Sequence, residues 1–72
     1  MRIFVAYRED CILGVYHSRK SALKAIKEDI YEYYHVEALT DLEYATIHNY
    51  TFSTSIKTND LTHIVAEYIV KD

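Results

Sequence analysis

One cysteine, one glycine, no apolar run of membrane-spanning length and no surplus of positive charge define this 72-residue chain more sharply than any motif it carries. The lone cysteine, Cys11, excludes an internal disulfide. No apolar run approaches the roughly 20 residues a helix needs to cross a bilayer, so neither a spanning segment nor a membrane partner is expected. With Gly14 as the only glycine, there is no Gly-rich loop to cradle a chain of phosphates. A net charge of −3 lacks the basicity of a duplex-DNA binder.

Catalytic and metal-binding constellations are missing as well. His17, His35, His48 and His63, with Cys11, show neither the close ligand spacing of zinc sites nor an HExxH pattern. No metal and no cofactor is therefore expected. Cys11 and His17 lie about 20 Å apart if the strand is extended, too far for a nucleophile and its base. Glu28 and Glu32 share a helix face, but two exposed carboxylates one turn apart are ordinary and nothing marks an enclosed acid. The expectation is a protein without enzymatic activity.

What is present is a globular composition, with 50% hydrophobic and 26% charged residues. Residues 1–72 make a single domain near the lower limit of what one core supports without disulfides or metals, so a partner or a second copy is expected from size alone. Met1-Arg2-Ile3-Phe4 leads into a strand pattern rather than a signal peptide, which predicts a cytoplasmic location. Charge is unevenly spread. Residues 1–27 hold six cations against two carboxylates (+4), and residues 28–72 two cations against nine carboxylates (−7), together the stated −3. Such asymmetry suits steering of an anionic ligand or head-to-tail association, and equally a solvated surface.

Residues 2–8 (RIFVAYR) and 11–17 (CILGVYH) are β-branched and aromatic, with Glu9-Asp10 as a two-residue break, and predict a β-hairpin. A two-residue loop sets Phe4, Ala6, Leu13 and Val15 on one face and Ile3, Val5, Tyr7, Ile12 and Tyr16 on the other. Both faces are apolar. Gly14 marks a bulge or the close approach of another backbone. Ser18 then caps a helix over 18–35 whose core stripe is Leu23, Ile26 and Ile30, joined by Ala22 and Tyr33. Thr40-Asp41-Leu42-Glu43 matches a capping box and predicts a short second helix reaching Tyr50, although Tyr44, Thr46 and Ile47 also suit a strand. Residues 51–60, rich in Ser, Thr and Asn, read as a loop or a ragged hairpin arm around Phe52 and Ile56. Thr62–Val70 is the last strand. The order ββααβ predicts an α+β two-layer domain, a three-stranded antiparallel sheet with helices on one face. Because the hairpin is apolar on both faces, the second face calls for a cover: a second subunit, a partner protein or the 51–60 loop.

The stretch ILGVYHSRKSALKAI resembles small uncharacterised bacterial and phage proteins with an N-terminal hairpin, a G-V-aromatic-x-S motif and a helix carrying a small residue soon after. The matching positions are Gly14, Val15, Tyr16, Ser18 and Ala22, and HIVAEYIV is similar to the closing strand of that group. These residues serve strand end, cap and first helical packing. The resemblance implies a phage-type accessory protein acting on a host or phage macromolecule.

Two surfaces stand out. Arg19, Lys20 and Lys24 crowd the start of the helix, with Lys27 a turn on and Glu28, Asp29 and Glu32 toward the end, the reverse of what the macrodipole favours. With Ser18 they form a candidate anion site for a nucleotide or other phosphate-bearing molecule, or single-stranded nucleic acid. The ordinary alternative is solubility, since each misplaced surface charge costs only about 0.3–1 kcal/mol. Eight tyrosines supply stiff contact area with a polar tip. Tyr33 falls on the core stripe, and Tyr7, Tyr16, Tyr31 and Tyr34 are the interface candidates. The leading expectation is a homodimeric interaction protein that inhibits or modulates a host defence or regulatory protein, with the anion binder as the alternative.

Overall fold

The structure, a computed structural model, describes residues 1–71. Five strands and one long helix follow one another as β1 (Arg2–Arg8), β2 (Cys11–Tyr16), α1 (Arg19–Tyr34), a 3-10 turn (Leu39–Asp41), β3 (Ala45–Asn49), β4 (Ser53–Thr58) and β5 (Thr62–Ile69). All strand pairs are antiparallel, in the spatial order β2-β1-β5-β4-β3. The expected three-stranded ββααβ layout is therefore corrected to a five-stranded sheet with a single helix, in the order ββαβββ.

Two segments account for the difference. Thr40 does not cap a second helix. Asp41 does the capping instead, its Oδ2 accepting the backbone N–H of Ala38 at 3.1 Å and of Glu37 at 3.3 Å, and this closes one short turn. Beyond it the β-branched Thr46 and Ile47 join a strand. The Ser/Thr-rich stretch is also a strand, β4, in which Thr54, Ile56 and Thr58 are buried while Ser53, Ser55 and Lys57 take the opposite face. Thr54 Oγ1 donates to Asn49 Oδ1, and Thr58 Oγ1 bonds the Leu61 carbonyl, so the buried hydroxyls have partners.

The first hairpin turns at Glu9-Asp10, and Arg8 faces Cys11 as a two-residue loop requires. Glu9 takes a left-handed φ of 50°, a strain on a non-glycine residue. Two bonds offset it, from Glu9 N–H to the Thr62 carbonyl and from Thr62 N–H to Glu9 Oε1. Past Cys11 and Ile12 the register slips by one. Tyr7 faces Ile12 but Ala6 faces Gly14, which leaves Leu13 as an extra residue. The bulge exchanges the faces expected for the next residues: Tyr16 pairs with Phe4 on the helix side and Val15 pairs with Val5 on the other. Gly14 leaves room beside it for the Tyr16 ring, whose tip would have to shift for a Cβ, since that atom would lie 2.6 Å from the Tyr16 hydroxyl oxygen and 2.9 Å from its ring.

Helix α1 begins at the Ser18 cap, whose side chain accepts the Ser21 N–H, and ends at His35 in the left-handed region (φ 57°). Ala22, Ile26 and Ile30 seal Phe4, Ala6, Ile56 and Val65, with Leu13, Tyr16, Leu23, Tyr31, Tyr34, Leu39 and Leu42 packed around them. The helix lies over β1, β2 and β5. Tyr33, expected on the core stripe, is exposed and edge-on to Tyr34.

Candidate interaction surface

The helix occupies one face of the sheet, and among the described residues no segment crosses the other. Strand alternation and register assign that uncovered face residue by residue. Its inner row runs Val15, Val5, Ala66, Ser53, and the next row Ile12, Tyr7, Ile64, Ser55, His48. Ile3 pairs with Tyr68 at one end, and Thr62, Lys57 and Thr46 align at the other. The half built on β2, β1 and β5 is apolar and the half on β4 and β3 is hydroxyl-rich. Val5 is buried between its neighbours, but Ile12 is 63% exposed, Val15 59%, Tyr68 47% and Ile64 36%.

Lys57 is the only residue of these rows with a formal charge at neutral pH. At the centre the Tyr7 and Tyr68 hydroxyls bond each other at 3.2 Å. That bond, helped by partial desolvation and by the proximity of the second phenol, holds the Tyr7 pKa above the ordinary tyrosine range. The pair uses one of its two O–H groups internally and leaves the other free to donate to whatever covers the face.

The sequence-predicted tyrosines divide between the layers. Tyr7 belongs to the uncovered face, while Tyr16, Tyr31 and Tyr34 are half-buried against the core under and beside the helix. Tyr34 Oη bonds Thr58 Oγ1 at 2.9 Å and receives the Asp60 N–H at 3.1 Å, tying the helix to the β4–β5 turn. Val15, Ile64, Ala66 and Tyr68 were missing from the sequence-based set. Alternation in THIVAEYI puts Ile64, Ala66 and Tyr68 on one side of β5, but only the long-range pairing with β1 shows which side that is.

The reversed helix charges resolve into tertiary contacts. Arg19 donates from Nη2 to the Thr51 carbonyl at 3.1 Å and lies 3.8 Å from Glu67, so it anchors the β3–β4 turn to the helix start. Asp29 accepts Arg8 at 3.0 Å and His63 Nε2 at 2.7 Å. His63 is fully buried, and its Nδ1 has no hydrogen-bond partner, which favours the tautomer with the proton on Nε2, facing the carboxylate. Neither charge could move along the helix without losing its partner on the sheet. Lys20, Lys24 and Lys27 have no such contact and, with Arg19, Leu23, Glu28 and Tyr31, line an open groove of about 650 Å³ along the helix. Ser18 is occupied by its capping bond and by the Ser21 hydroxyl.

Among the described residues no group of three His, Cys, Asp or Glu side chains is placed to hold a metal ion, and no helix is long and apolar enough to cross a membrane. Cys11 is exposed at the hairpin end. No protein-family model, curated protein or solved structure matches this chain.

Proposed function

We propose that this chain is a non-enzymatic interaction protein whose working surface is the uncovered sheet face. One observation carries the reading. Four large apolar side chains, Ile12, Val15, Ile64 and Tyr68, stand exposed and contiguous on a regular sheet, rimmed by hydroxyl groups. Contiguous exposed apolar patches of this kind mark association surfaces, and the 51–60 segment is not available as a cover because Ser53–Thr58 is itself part of the sheet. The phage-type resemblance of GVYHS and HIVAEYIV makes a modulator or inhibitor of a host defence or regulatory protein the concrete form of this function.

A second reading, an anion binder, draws on the groove beside Lys20, Lys24 and Lys27. Its ligand would be a nucleotide, another phosphate-bearing molecule or a single strand. It is the weaker of the two, because Arg19 is already committed to Glu67 and Thr51. The experiment that separates them is affinity capture with three tagged chains: wild type, Ile64→Lys, and Lys20→Glu with Lys24→Glu. Loss of the captured protein with Ile64→Lys alone is the expected result. Loss with the charge reversal alone overturns the sheet-face reading and favours the groove.

A further inference from the structure

Resting on the reading that the uncovered face is the working surface, we infer that in the chain alone its occupant is a second copy, joined face to face about a two-fold axis that runs across the strands and displaced when another protein takes the face. Area is the first argument. Five strands about 4.8 Å apart and five to eight residues long give a footprint of about 500 Å² per copy, so two copies reach the roughly 1,000 Å² a specific interface requires even before side-chain relief is counted. The helix side also exposes apolar residues, Ile47, Ile69 and Tyr33, but the helix stands between them and they do not join into one flat face.

Symmetry is the second argument. A two-fold axis lying between the two sheets and across their strands stacks every strand on its own counterpart, so β2, β1 and β5 meet β2, β1 and β5 of the partner copy. Apolar half then meets apolar half and hydroxyl-rich half meets hydroxyl-rich half. With the axis between the two central rows, Val15 stands over Ile12 of the other copy, Val5 over Tyr7, Ala66 over Ile64 and Ser53 over Ser55. The face is thus complementary to itself, as an isologous contact must be.

Charge is the third. Lys57 lies one row beyond the centre, so the two copies of it fall at opposite ends of the interface, about 20 Å apart along the strands. Among the described residues no carboxylate lies in the rows of this face. A heterologous partner is commonly oriented by charges across the contact, and this surface offers one. The remaining polar centre, Tyr7 and Tyr68, is partly paired within the chain and leaves one O–H to be met across the contact.

The test is the concentration dependence of mass, by analytical ultracentrifugation of the full chain between about 1 and 200 µM, a range that brackets a micromolar dissociation constant. Wild type is expected to rise from 8.5 kDa toward twice that mass. Val15→Glu and Ile12→Lys, each on an exposed edge-strand position, are expected to keep the far-UV dichroism of the wild type while weakening the dimer by about 100-fold or more, because each buries an unpaired charge. Lys20→Glu with Lys24→Glu on the helix should leave the dimer unchanged. A wild type that stays at 8.5 kDa throughout, or folded Val15→Glu and Ile12→Lys chains that dimerise as tightly as wild type, overturns the inference. If the chain is monomeric yet Ile64→Lys abolishes capture of another protein, only the second copy is wrong and the interaction reading stands. If the face variants change neither mass nor capture, both fall.

Discussion

On the helix side of β1 and β5, Phe4, Ala6 and Val65 are closed off by Ala22, Ile26 and Ile30; one residue further along the same strands, Tyr68 and Ile64 stand in solvent with Ile12 and Val15 beside them. Both faces have an apolar centre over these three strands, but only the helix side adds Arg8, His63 and Glu67 at its ends, and only it is covered. The helix side is also where the partly buried Asp29 bridges Arg8 and the fully buried His63, while the open side has one phenol pair and one lysine. One face is thus fastened by directional contacts to a particular helix and the other is left general, which suits an internal core and an external docking surface respectively.

Substitutions on the two faces are expected to differ widely in cost. Ile26→Ala removes the centre of the helix side and is expected to cost about 2–5 kcal/mol in urea unfolding, enough to unfold much of a small domain. Ile12→Ala on the open side should change monomer stability by no more than about 0.5 kcal/mol. Equal losses at the two positions would show that the second face is part of the folding core after all. Next in size is Asp29→Ala, which leaves the buried His63 Nε2 and the Arg8 guanidinium without their acceptor and should cost about 1–3 kcal/mol by the same measurement.

Gly14→Ala tests the bulge that sorts Val15 from Tyr16. The new methyl must displace the tip of the Tyr16 ring, and a loss of about 1 kcal/mol is expected, at the low end for overpacking. Tyr16→Leu in the same chain should make the alanine nearly neutral; if it does not, the close approach is not what demands the glycine. The smallest effect concerns the Tyr7 phenol. Held by Tyr68 above the ordinary value of about 10, it should ionise at higher pH than a free tyrosine in an ultraviolet titration, and Tyr68→Phe should bring it back. The sign follows from linkage: the folded value exceeds the unfolded one, so the bond's contribution is whole below pH of about 10 and fades as pH rises through the folded value.

The first hairpin, its two-residue turn and helix α1 from the Ser18 cap to His35 were legible because their signals are local: alternation, a cap three residues before the N–H it accepts, and a stripe at helical spacing. The β3–β4 arm was not. Thr40-Asp41-Leu42-Glu43 looks like a capping box, yet Asp41 closes a single turn. The serines and threonines of β4 look like loop residues, although hydroxyls are well suited to a strand with one wet face and neighbouring acceptors on the other. Half of the candidate surface, Ile3, Val5, Tyr7 and Ile12, followed from the hairpin alone. Val15 was assigned to the wrong face because a bulge leaves no mark in the sequence beyond a glycine. The β5 contribution was hidden because a strand's inward side depends on a pairing some sixty residues distant.

The position of β5 between β1 and β4 has a consequence for how the molecule comes into being. Each of the two hairpins, β1–β2 and β3–β4, can close on itself as it emerges from the ribosome, but two-stranded hairpins are marginal alone, and the strand that joins them is the last of the five to be made. Assembly of the sheet therefore waits for synthesis through Ile69 and then proceeds through contacts of high sequence separation, the regime in which small proteins fold slowly. Until β5 is seated, the edges of β1 and β4 stand open in addition to the permanent edges β2 and β3, the apolar hairpin is uncovered, and the newborn chain's exposure to chaperones and proteases is set by that interval.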